Sequence, residues 1–175
     1  MDMPLILTTN TIRVALLCYV LSNVLWLACR DQRRVERWAR WCWTLGCVLF
    51  LAHMLCGFAY HEWSHAKVYA YTAQETRRLI GWEFGAGVYF NYLFAVVWSG
   101  DVVRQWWFAD TKWASWCGVA AQTYMAFIAI NGTVIFKTGW IRGLAVVALA
   151  ALCFLVWRRY RLIKVSDDQR PDVAT

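Results

Sequence analysis

The feature that most constrains this chain is an alternation of long apolar runs with short basic links. The runs cover 12–29, 41–60, 85–106, 116–136 and 140–157. Wound as an α-helix at ~1.5 Å per residue, each is long enough to cross a ~30 Å hydrocarbon core. Backbone groups in lipid must be satisfied within their own segment, so each run is expected as a helix. The expected fold is an all-α integral membrane protein, a single bundle of about five transmembrane helices over residues 1–165. A polar segment, 61–83, lies over the outer face, and 166–175 forms a disordered cytoplasmic tail.

Composition agrees with this. Hydrophobic residues make up 61% of the chain and charged residues 17%, against about 25% charged in a soluble domain. Thirteen Trp and eight Tyr suit the headgroup zone, where amphipathic rings anchor spans. Pro4 and Pro171 are the only prolines, so the strongest helix breaker is missing from the middle. The seven Cys are odd in number and show no CxxC spacing. That argues against a disulfide framework or a zinc ribbon and for small apolar side chains.

The charges set the orientation. Residues 1–11 hold no Lys or Arg, unlike the basic start of a secretory signal, and the N-terminus is expected outside. The inner segments then hold twelve cations: Arg30, Arg33, Arg34, Arg37, Arg40, Arg104, Lys112, Arg158, Arg159, Arg161, Lys164 and Arg170. The outer ones hold six: Arg13, Lys67, Arg77, Arg78, Lys137 and Arg142. This follows the positive-inside rule. The net charge of +7 is therefore a topology signal and not a nucleic-acid footprint. The expected location is a cell membrane of the bacterial inner (plasma) type. Lipid is the first partner, and a protein partner or a second copy of the chain is the next.

All three histidines, His53, His61 and His65, fall at the end of the second run and the start of the outer segment. No Pro or Gly separates Gly57 from Gly81. The second helix is expected either to run on or to turn near Tyr60 into a helix on the surface. At ~100° per residue, His61, His65, Val68, Thr72, Glu75 and Leu79 share one stripe. On a continuous helix, His61 and His65 offer two nitrogens to one metal. With Glu62 the stretch reads HExxH, and over those five residues the chain resembles zincins, in which the Glu polarises a metal-bound water. That resemblance implies a zinc site with Glu62 catalytic if the chemistry is hydrolytic. The intramembrane site-two proteases share HExxH and add a distal Asp motif. Asp101 departs from that motif in context and lies about 22 Å below the level of His61. A metal site without peptidase chemistry, for zinc, iron or copper, would use His61 and His65 with Glu75, Glu83, Glu62 or Asn91. His53 joins only if the helix geometry allows it. The plain alternative makes His61 and His65 interfacial side chains. Haem is disfavoured, because two axial imidazoles need two helices.

His53 is an ionisable group inside an apolar run, which makes it a functional candidate by default. Its structural alternative is a neutral ring bonded to a helix bearing Asn23, Gln122 or Tyr124. Asp101 with Arg104 reads as an i,i+3 ion pair or as the inner end of a proton path to His53. Asn91 and Asn131 place amides in outer half-spans, where they bond between helices. Asn131-Gly132-Thr133 matches a glycosylation sequon, too close to the bilayer for that use. Three functions follow: an outer-face metal protein, a non-catalytic subunit of a membrane complex, and a small transporter or proton path using His53 and Asp101.

Overall fold

A computed structural model describes residues 3–28, 32–108, 112–135 and 139–168, and among them there are helices and no strand. The helices are α1 (Met3–Ala28), α2 (Arg33–Tyr60), α3 (His65–Ile80), α4 (Gly87–Trp107), α5 (Lys112–Ile130) and α6 (Trp140–Asp168). A π-helical turn, Asn131–Ile135, extends α5.

Neighbouring long helices run antiparallel, as their contacts show. Ser22 Oγ donates to the Ala39 carbonyl at 2.8 Å, and the His53 ring meets the Thr8 carbonyl at 2.8 Å, so α1 and α2 form a hairpin. Trp106 Nε1 donates to Thr44 Oγ1 at 3.0 Å, and Phe50 packs edge-on to Phe94, which sets α4 against α2. Tyr124 donates to the Phe90 carbonyl at 3.0 Å, which sets α5 against α4. The core sits where α1, α2, α4 and α5 meet: Tyr19, Trp43, Phe50, Phe94, Trp98 and Met125 are buried together. Gly46 lets these helices close. A Cβ there would lie 2.8 Å from the Trp98 ring and 3.2 Å from the Cys18 Cβ. α6 packs on α1.

Each expected run has its helix, with shifted ends. α1 begins nine residues before residue 12, and α6 runs on past 157 to Asp168, into the first residues of the expected tail. Cys29 and residues 169–175 lie outside the described residues. Two stretches among the described residues, Ile6–Ala28 and Arg33–Tyr60, are long and apolar enough to cross a membrane. That is fewer than the five expected. α4 falls short because it carries Asp101 and Arg104 and draws much of its bulk from Trp and Tyr, whose polar tips lower the mean hydropathy; parts of α5 and α6 lie outside the described side chains.

Candidate functional site

The site forms where α2 ends. The amide N–H groups of His61, Glu62 and Trp63 fold back onto carbonyls of residues 57–59, with Trp63 N–H to the Phe58 carbonyl at 2.8 Å. Glu62 and Trp63 then take left-handed backbone angles, φ 54° and 59°. For L-residues that conformation costs roughly 1–2 kcal/mol each. An ion pair between Glu62 and Lys67 (2.6 Å) bridges the turn. That contact, with the hydrogen bond it contains, holds the Glu62 carboxyl below the ordinary glutamate range. Ser64 then caps α3, accepting from the Lys67 N–H at 3.4 Å. The α3 exit is equally local. Gly81, at φ 76°, returns its N–H to the Arg77 carbonyl, a left-handed helix stop that favours glycine.

This turn corrects the expectation of one helix carrying both imidazoles. His61 is the residue just beyond α2, and His65 is the first residue of α3. Two left-handed residues between them reverse the backbone, so i,i+4 spacing no longer means a shared face. The rings go separate ways. His61 packs on Tyr71 (4.8 Å) and Tyr60 (5.1 Å). His65, exposed, packs on Tyr89 and Tyr92.

His53 and His61 instead line one cavity. A cavity of about 170 Å³ lies between α1, α2, α3 and α4, lined by Thr8, His53, Met54, Gly57, Phe58, Tyr60, His61, Val68, Tyr71, Thr72, Val88, Asn91 and Tyr92. α2 supplies His53 and Gly57, four apart, with His61 another four along. Gly57 opens the wall, since a Cβ there would meet nothing within 4 Å. α3 roofs the cavity with Val68, Tyr71 and Thr72. α3 is held down by Thr76, whose hydroxyl lies 2.7 Å from the Thr72 carbonyl and 3.2 Å from that of Phe84. It is also held by Tyr69, whose ring covers Gly85 so closely that any Cβ there would collide with it. Phe58 and Tyr92 stack across one wall at 6.0 Å. Burial, and next the Glu75 charge, push the Tyr71 hydroxyl above the ordinary tyrosine range.

The His53 ring takes a partner the sequence did not suggest. Its Nδ1 meets the Thr8 carbonyl; a carbonyl only accepts, so Nδ1 carries a proton. Asn23 donates to Tyr19 on its own helix, and Tyr124 reaches Phe90, so neither of those bonds is to His53. The acids named for a metal are each held by a cation: Glu62 by Lys67, Glu75 by Arg78 at 2.8 Å, and Glu83 by Arg77 at 3.5 Å. None of them lines the cavity. Among the described residues, no group of three or more His, Cys, Asp or Glu is placed to hold a metal ion.

Asn91 lines the cavity, whereas Asn131 sits in the π turn and donates to the Phe127 carbonyl at 2.7 Å. Asp101 is at the other end of the bundle, buried, accepting from Arg104 and Gln105 at 2.8 and 2.7 Å. Between it and His53 lies the aromatic core of Phe50, Phe94 and Trp98. Sequence reasoning missed Thr8, Gly57, Tyr71 and Tyr92 as residues that share a cavity with His53. The available signal was the four-residue spacing His53–Gly57–His61, with the glycine marking a gap. No family model, curated protein or solved structure matches this chain.

Proposed function

We propose that this is a multi-pass membrane protein in which α1, α2, α4, α5 and α6 span the bilayer, and which binds a small molecule in the cavity beside His53 and His61. The observation that carries the binding reading is that cavity. Four elements converge on it, and it gathers two of the three histidines. The spanning reading rests on what the helices present outward. Among the described residues, only 17% and 22% of the two candidate spanning windows are buried, whereas a soluble core helix is mostly buried. Leu17, Leu21, Val48, Leu55, Val96, Val119 and Val147 are exposed on five different helices. Large apolar side chains exposed in that number need lipid or protein cover. Trp38, Trp41 and Trp107 are then exposed at one end of the bundle and Trp63 and Trp82 at the other, as interface anchors are.

The test has two arms. In a cysteine-free background, Trp63→Cys should react with an impermeant maleimide in intact cells, and Gln32→Cys only after permeabilisation. Equal labelling from one side, or extraction of the protein by alkaline carbonate, would refute the topology. For the cavity, native mass spectrometry of wild type beside Gly57→Phe should show a bound species lost when the cavity is filled. Because His53 and His61 both line the cavity, the same spectra also test a metal reading on these two residues instead of His61 with His65. In that case the species lost would be zinc, iron or copper, and His53→Ala/His61→Ala would lose it too. If neither species is seen, the binding reading fails.

A further inference from the structure

We infer that the cavity beside His53 and His61 selects an uncharged, single-ring aromatic molecule bearing a hydroxyl or carbonyl oxygen; this rests on the binding reading above. Size comes first. About 170 Å³ is close to the ~150 Å³ of a cavity known to admit benzene, and far below the ~300 Å³ at which drug-sized sites begin.

Charge comes second. No Asp, Glu, Lys or Arg lines the cavity, and the nearest acid on the roof helix, Glu75, is neutralised by Arg78. An ion entering would give up part of its hydration without gaining a counter-charge, which is unfavourable.

Shape and polarity complete the argument. The walls are rings: Phe58 stacked with Tyr92, and His61 against Tyr71. A cavity lined by aromatic rings favours a flat guest, which gains offset or edge-on contacts. A purely apolar guest would leave the polar rim unanswered. Asn91, Tyr71 and Tyr92 are among the lining residues, and their amide and hydroxyl groups can both donate and accept. A site with such groups discriminates against an analogue that lacks the matching oxygen.

The experiment is ligand-observed NMR on the full chain in lipid nanodiscs, with Gly57→Phe as the blank for partitioning into lipid. Gly57→Leu is the smaller plug should Phe disturb folding. The probes are phenol, toluene, benzoate and cyclohexanol, which separate oxygen, charge and planarity. Phenol should bind wild type and neither plugged variant. Toluene, benzoate and cyclohexanol should each bind at least about fivefold more weakly, the scale of one hydrogen bond. Asn91→Leu or Tyr71→Phe should weaken phenol by a similar factor. Toluene, benzoate or cyclohexanol matching phenol would overturn the inference, and so would phenol binding unchanged in both Asn91→Leu and Tyr71→Phe. If phenol does not bind while native mass spectrometry still shows a species displaced by Gly57→Phe, the ligand class is wrong and the binding reading stands. If that species is absent as well, both fail.

Discussion

Removing the Asp101 carboxylate should destabilise the bundle by several kcal/mol, and removing Arg104 with it should restore much of the loss. The Asp101 side chain is 1% exposed and that of Arg104 17%. The guanidinium lies against Gly118 of α5, where a Cβ would come within 2.9 Å of it. Asp101→Ala leaves a mostly buried cation without its carboxylate and the Gln105 amide without its acceptor. Breaking a buried pair costs about 3–5 kcal/mol. Partial exposure of Arg104 brings this to about 2–4, and the lost Gln105 bond adds about 1. Arg104→Ala strands the carboxylate, though Gln105 still donates to it, and should cost about 3 kcal/mol. The double variant leaves no stranded charge and forfeits mainly packing, about 2 kcal/mol. The single losses therefore sum to about 7 kcal/mol against about 2 for the pair, a coupling of about 5. Asp101→Asn should lose roughly half as much as Ala. The Gln105 Oε1 is buried without a partner, so a flipped amide can accept from the new Asn. The assay is reversible unfolding in mixed micelles followed by helical circular dichroism. Single losses that add to within ~0.5 kcal/mol of the double variant would refute the reasoning, as would an Asp101→Ala loss under about 1 kcal/mol.

Three further outcomes follow from local geometry. Gly46→Ala should cost about 1–3 kcal/mol in the same unfolding assay, because its methyl would sit 2.8 Å from the Trp98 ring. Gly57→Ala should be neutral or stabilising by up to about 1 kcal/mol, since open space receives the methyl and Ala is the better helix former. The Glu62–Lys67 bridge should loosen in acid. The Glu62 carboxyl has its folded value lowered by Lys67, so its contribution is present above the ordinary glutamate range and is lost as pH falls through the lowered value. Amide exchange at the start of α3 should rise in that window, and Lys67→Met should abolish the pH dependence.

The helical elements were legible because their signals are local. Apolar runs with basic links announce helices wherever they pack, and Gly81 at the end of a periodic segment announces a stop. The Asp101–Arg104 pair was legible for the same reason, being one turn apart on one helix. The His61–His65 pairing was misread because spacing is geometry only while the helix continues. Nothing in the residue types of Glu62 and Trp63 announces two left-handed residues in a row. The Thr8 carbonyl was beyond reach because backbone groups are the same at every position. Which one meets His53 depends on the register of α1 against α2.

By itself, then, the sequence determined an all-helical chain, the approximate place of each helix, and the clustering of its histidines near one turn. Those properties follow from hydropathy and backbone preference over a few residues. Only the tertiary structure decided that His53 and His61, and not His61 and His65, share a cavity. Only it decided that Glu62, Glu75 and Glu83 are each taken by a neighbouring cation, and that a wall of aromatic rings separates His53 from Asp101. Those outcomes depend on how four helices pack, and packing is set by the joint fit of side chains far apart in the chain, such as Gly46 against Trp98 and Tyr69 against Gly85.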